Sequence, residues 1–218
     1  MAIIASDSGG GGTFELAPPG SHVGLCNMVV DLGKQETTDF DGKPSIKHQV
    51  YLRWELPDER STNDASRPLS IGKFYTLSLH EKATLRQHLD AWRGRPFTAE
   101  ELKGFDIAKL LGAPALLSVT HGTKGNGDAS AKVANVGKLP KSMTAPKDTE
   151  TPPLLYDNDS PADVYDELPE WLRKKVDAQV RDKPRGGGAP VYDDLSDDVP
   201  FASNSPMARE PGASRRAI

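Results

Sequence analysis

The 218 residues are 36% hydrophobic and 6% aromatic, with 20 Gly and 18 Pro, a lean composition that suggests an ordered part joined to a long polar tail. A formal net charge of −4 gives no global signature of nucleic-acid binding, and the single cysteine, Cys26, excludes an internal disulfide and points to a reducing compartment. The N-terminus MAIIASDSGGGG lacks the basic region of a signal peptide, and no apolar run reaches the ~20 residues of a membrane span, so a soluble intracellular protein is expected.

The charge is unevenly spread. Residues 1–140 carry 16 Lys+Arg and 16 Asp+Glu, net 0, whereas residues 141–218 carry 11 and 15, net −4, together with 10 of the prolines. This break near Pro140 divides the chain into a disordered N-terminal arm (1–19), an ordered domain (20–140) and a largely disordered, acidic, Pro-rich tail (141–218) that begins as a disordered linker.

In chain order, HVGLCNMVVDL (22–32) reads as a first strand, closed by Gly33. IKHQVYLRWEL (46–56) alternates with period 2: Ile46, Val50, Leu52, Trp54 and Leu56 on one face, Lys47, Gln49, Tyr51, Arg53 and Glu55 on the other. IGKFYTLSL (71–79) is a third strand. Ser78 and Glu81 stand at capping-box spacing ahead of Leu85, Leu89 and Trp92, which predicts a helix stopped by Gly94. Thr98 and Glu101 repeat the capping spacing, and Asp106 caps a short turn that Gly112 ends. ALLSVTH (115–121) and AKVANVGKL (131–139) then pair through a Gly-rich connection. The order β-β-β-α-β-β is that of a mainly β, OB-fold-like five-stranded barrel with its helix between strands three and four. Another small β-barrel or an α+β sheet is the alternative.

No phosphate-binding loop, nucleophile elbow or zinc-protease motif is present, and the five histidines lack zinc-ligand spacing. A non-enzymatic protein without a cofactor or metal is expected; a small hydrolase would need converging carboxylates. His48 reads as a core or edge histidine, Cys26 as a core thiol and Trp54 as core. In an OB-fold, oligonucleotides lie on the face of strands two and three, where cations follow phosphates and aromatic rings stack on bases. The candidates there are Lys47, Tyr51 and Arg53 on strand two and Lys73, Phe74 and Tyr75 on strand three. Lys43, Lys124 and Lys132 join them from the flanking loops and strand five. The simpler alternative is a solvated sheet face with ordinary charges.

In the tail, SPADVYDELPEWLRKKVDAQV (160–180) predicts a helix over 161–180, split near Pro169, with Leu168, Trp171, Leu172 and Val176 as a narrow apolar stripe. It docks on its own domain, on a second subunit or on a partner protein, and Trp171 is the candidate partner contact. Further on, YDDLSDDVPF (192–201) sets Asp193, Asp194, Asp197 and Asp198 before Val199, Pro200 and Phe201.

Asp197-Asp198-Val199-Pro200-Phe201 resembles the acidic tip of the bacterial single-stranded DNA-binding proteins. That resemblance implies a recruitment motif for replication, recombination and repair enzymes, with Phe201 entering a pocket and the acids meeting a basic rim. In that family the Phe is terminal; here 17 residues follow it. The stretch 75–119, with DLG (31–33), WELP (54–57), LPKSM (139–143) and LPEWLRKKV (168–176), is similar to phage-encoded proteins of replication and recombination modules. Some of these are single-stranded DNA-binding proteins. The resemblance implies a protein of the bacterial host cytoplasm that coats single-stranded DNA without strong sequence preference. Phage or host replication and recombination proteins would be recruited through its tail, and self-association is compatible with it. The alternative is a protein-interaction adaptor that does not contact DNA.

Overall fold

The computed structural model describes residues 15–181 apart from 39, 40, 124, 126 and 146, and the compact unit that contains them ends at Arg181. Strands β1 (Gly20–Thr38), β2 (Pro44–Arg60) and β3 (Pro68–Thr76) precede helix α1 (Thr84–Arg93). Strands β4 (Pro114–Thr123) and β5 (Ala129–Gly137) follow, as the hydrophobic periodicity predicts. A sixth strand, β6 (Leu154–Tyr156), and helices α2 (Ala162–Glu167) and α3 (Glu170–Asp177) complete the described chain. No helix among the described residues is long and apolar enough to cross a membrane.

The sheet runs β3-β2-β1-β4-β5, with β6 beside β1. β1 organises it. Residues 20–25 pair with β4, residues 28–30 pair in parallel with β6, and β2 runs antiparallel along 25–38. A register shift between Cys26 and Met28 marks the handover from β4 to β6. The expected five-stranded barrel is not closed: no ladder joins β3 to β5 among the described residues. Instead the Lys73 ammonium donates to the Val133 carbonyl at 2.6 Å, bridging the two edges.

One face of the sheet wraps a core of Cys26, Leu52, Trp54, Leu56, Leu117 and Val136, closed by Leu85, Leu89 and Trp92 of α1. The Trp92 indole donates to the Pro114 carbonyl at 2.7 Å, so its polar edge is satisfied as the ring is buried. The helix starts later than the Ser78–Glu81 spacing predicts. Ser78 Oγ accepts from the His80 amide, and the N-cap is Ala83, without a side-chain cap. That local bond competes with helix initiation at Ser78, and β3 accordingly stops at Thr76. The second capping box does form: Thr98 N donates to Glu101 Oε2 at 2.9 Å, and Glu101 N donates to Thr98 Oγ1 at 3.3 Å.

The other face of the sheet is also buried. Met28, Val30, Leu32 and Tyr51 pack under Leu154, Tyr156, Leu168, Leu172 and Val176. The physical reason lies in β1, whose run CNMVVDL is apolar on both faces and therefore requires two layers. The composition break at Pro140 is thus a change of charge and proline content, and the chain continues to pack beyond it. Pro169, which cannot donate into a helix, stands as N-cap of α3 and separates it from α2, as predicted. The span 160–180 docks on its own sheet. Gln35 Nε2 donates to the Lys175 carbonyl at 3.0 Å, and Val180 N to the Lys34 carbonyl at 2.7 Å.

The segment between β5 and β6, expected as a disordered linker, is held at one point by a buried carboxylate. Glu55, 1% exposed, accepts from the amides of Glu150 (2.7 Å) and Thr151 (2.9 Å). Arg60 and Glu150 form a two-pronged ion pair beside it, at 2.6 and 2.8 Å.

Candidate nucleic-acid interface

β2 and β3 pair with Tyr51 opposite Phe74, Arg53 opposite Gly72 and Val50 opposite Tyr75. Because side chains alternate across a strand, Tyr51, Arg53 and Phe74 share the outer face, while Tyr75 points with Val50 into the first core. Trp171 of α3 stands on the same outer face. Its ring meets Tyr51 edge-on at 5.2 Å between centroids, and Phe74 lies 4.9 Å from Tyr51 and 6.1 Å from Trp171. Tyr51 is buried beneath this cluster, whereas Phe74 and Trp171 remain 42% and 47% exposed. The result is a two-ring apolar platform with a third ring as its support.

A cleft lies on each side of Phe74. The first, about 500 Å³, is lined by Tyr51, Arg53, Arg67, Gly72, Phe74 and Trp171, among others. The second, also about 500 Å³, runs past Lys47, Lys73, Phe74, His80, Lys82 and Thr84. Among the described residues, five Lys or Arg side chains line the pair, and no Asp or Glu lines either one. The other two principal clefts contrast with them: one carries Asp58 and Glu59, the other Asp31, Asp106 and Asp157.

Electrostatics favour an anion in this region. Arg53 is half-buried and its Nε donates to Asn27 Oδ1 at 3.0 Å, which aims the guanidinium across the strand. Burial lowers its pKa first; Tyr51 and Glu55 oppose that, and Arg67 adds repulsion. Arg53 and Arg67 thus bring two guanidiniums to one cleft. Lys175 Nζ lies 5.9 Å from the Phe74 ring centroid, adding a cation at the platform's edge. The N-terminus of α1 borders the second cleft at Ala83 and Thr84, with no acid in its first turn.

Several expected site residues take other positions. Tyr75 is a correction: it is 4% exposed, its hydroxyl bonds His88 Nδ1 at 2.8 Å, and burial drives its pKa far above the usual range. Tyr51 is present on the expected face but is covered by Trp171, and burial pushes its pKa up to about 12. Lys73 lines the second cleft, yet its ammonium is committed to the Val133 carbonyl and burial lowers its pKa. Lys43 and Lys132 are exposed and line neither cleft. Lys124, Asp193, Asp194, Asp197, Asp198, Val199, Pro200 and Phe201 lie outside the described residues. Trp171, expected as a partner contact, packs against Tyr51 and Phe74 and keeps 47% of its surface exposed.

Arg67, Lys82 and Lys175 were not among the sequence candidates. Arg67 immediately precedes β3 and Lys82 lies in the turn between β3 and α1, where strand periodicity carries no information about direction. Lys175 follows Trp171 by one helical turn, so the i, i+4 spacing was its only signal. Among the residues assigned to the core, Cys26 is fully buried with its thiol pushed up to about 12 by desolvation, and Trp54 is fully buried. His48 is half-buried on the interior strand β2 and bonded to Asp31 Oδ1 at 2.5 Å.

No family model matches the sequence, and no curated protein matches it.

Proposed function

We propose that the chain is a non-enzymatic, phage-type single-stranded DNA-binding protein built on an OB-type sheet, acting in replication and recombination. The observation that carries this reading is the Phe74–Trp171 platform between two clefts lined, among the described residues, by cations and by no acid. Single-strand binders combine a cationic track for the backbone with rings on which bases stack, and stacking is tolerant of sequence because every base has a π-face. The OB reading draws support from the strand order β3-β2-β1-β4-β5, the helix between β3 and β4, and the Lys73 bridge across the seam between β3 and β5.

In this account the DNA backbone passes along Arg53 and Arg67, crosses Phe74 and continues along Lys47 and Lys82. Bases stack on Phe74 and Trp171. The acidic segment ending at Phe201 recruits phage or host replication proteins. The test is a titration of the full chain with a mixed-sequence single-stranded oligonucleotide and the matching duplex at several salt concentrations. Preferential, salt-sensitive binding of the single strand is expected, and absence of binding at low salt refutes the proposal.

A further inference from the structure

Six large apolar side chains are prominently exposed among the described residues. Phe74 and Trp171 form the platform. Leu77 and Leu155, 37% and 39% exposed, line a different groove of about 270 Å³. Its apolar wall comes from Val29 and Val50, both buried, with Phe105 and Ile107 partly buried beside them. Val50 and Tyr51 are successive residues of β2, so this groove opens on the face of the sheet opposite the aromatic platform.

The polar residues of the groove share one sign. Asp31, Asp106 and Asp157 line it, and among the described residues no Lys or Arg does. Each carboxylate is fixed by a local bond: Asp31 to the Gly33 amide and His48, Asp106 to the Ala108 amide, Asp157 to the Asp159 amide and Ser160 hydroxyl. These bonds hold the acids in place around an apolar slot. Such a slot attracts apolar side chains with cationic neighbours and repels acidic ones.

We propose that this groove docks a short segment of another protein in which one or two Leu-like side chains are flanked by Lys or Arg. The acids steer the segment and the slot takes its apolar residues. The aromatic platform lies on the other face, so the partner docks without displacing nucleic acid. This inference does not depend on the DNA-binding reading, which the oligonucleotide titration tests separately.

The experiment is an NMR titration of the full, isotopically labelled chain with the synthetic peptide Lys-Arg-Leu-Leu-Lys-Arg. Shifts confined to the neighbourhood of Leu77, Ile107, Leu155 and Asp157 are expected. Affinity should fall at least tenfold when the peptide's Leu pair becomes Ser, and also in the Leu77→Ser/Leu155→Ser chain. The exposed-site variant Asp157→Lys provides a second readout should the double variant fail to fold, and it should weaken binding in proportion to added charge. Shifts only around Phe74 and Trp171, equal binding of Glu-Arg-Leu-Leu-Glu-Glu, or no shift at all would overturn the proposal. A concentration-dependent dimer that Leu155→Ser abolishes would also overturn it, by assigning the groove to a second copy of this chain.

Discussion

The ring of Tyr51 leans over Gly72, its diagonal neighbour on β3: a methyl group built on Gly72 would overlap the Tyr51 hydroxyl and ring. This glycine gives Tyr51 the space to lie flat and carry Phe74 and Trp171 above it. Gly72→Ala should therefore displace the support of the platform. Overpacking of this kind typically costs 1–3 kcal/mol, so stability in urea should fall by roughly that amount. Single-stranded DNA affinity should fall with it, while the α1 side of the first core keeps its protection from hydrogen exchange.

The platform rings and the buried Tyr75 make opposite predictions. Phe74→Ala should weaken single-stranded DNA binding by about 1–3 kcal/mol, the range for loss of one stacked base, with a small effect on stability because the ring is well exposed. Tyr75→Phe should leave DNA affinity unchanged. It should lower stability by about 1 kcal/mol, because His88 Nδ1 loses its partner in the core. Parallel titrations and denaturation curves of the two variants check both statements.

Salt dependence follows from the cations. Five Lys or Arg line the two clefts, and each phosphate neutralised on a single strand contributes a slope of about −0.7 to log K against log salt. A slope of roughly −2 to −4 is expected. Arg67→Gln should reduce its magnitude by somewhat less than one unit, whereas Lys132→Gln, outside both clefts, should leave it unchanged.

The stability of the fold should depend on pH through His88. Burial holds its pKa down, to about 4 against an unfolded value of 6.5, and Lys73 adds repulsion. The unfolded chain then binds more protons between those values, so stability is full above about 6.5, falls as the pH drops toward 4 and levels off below it. The slope cannot exceed about 1.4 kcal/mol per pH unit for one proton. Urea denaturation at pH 7, 6, 5 and 4 measures it, and His88→Gln should remove this component.

Glu55 ties the segment after β5 to the sheet through the amides of Glu150 and Thr151. Glu55→Ala leaves both part-buried amides, and the buried Asn27 Nδ2, without their acceptor. Losses of about 1–3 kcal/mol per orphaned group are typical, so proteolysis between Met143 and Leu154 should accelerate markedly. Limited digestion followed by mass spectrometry reads this directly.

Much of this architecture was legible in the sequence because strands and helices advertise themselves by period. The alternation in 46–56 identified the inward Leu52, Trp54 and Leu56, and the spacing of Leu85, Leu89 and Trp92 identified the buried stripe of α1. What period could not reveal was what lies on top of a face. Tyr51 reads as exposed because its neighbours Lys47 and Arg53 are charged, yet a segment more than a hundred residues later covers it. The apolar run through Met28, Val30 and Leu32 was the available signal for that second layer. Phe74 and Tyr75 were both named for the site, and only the register with Tyr51 and Val50 separates the outward ring from the inward one. Arg67 and Lys82 enter the clefts from beyond the ends of β3, where no periodicity reaches.

The most direct measurement uses the tryptophans. Trp54 and Trp92 are buried and Trp171 is 47% exposed on the platform, so stacking of bases should quench Trp171 alone. Titrating the full chain with single-stranded DNA at low salt should quench its fluorescence, with recovery as salt is raised. Trp171→Phe should abolish the quenching while retaining most of the affinity, and Phe74→Ala should weaken the affinity itself. Absence of binding at low salt, or binding indifferent to both substitutions, would contradict the account.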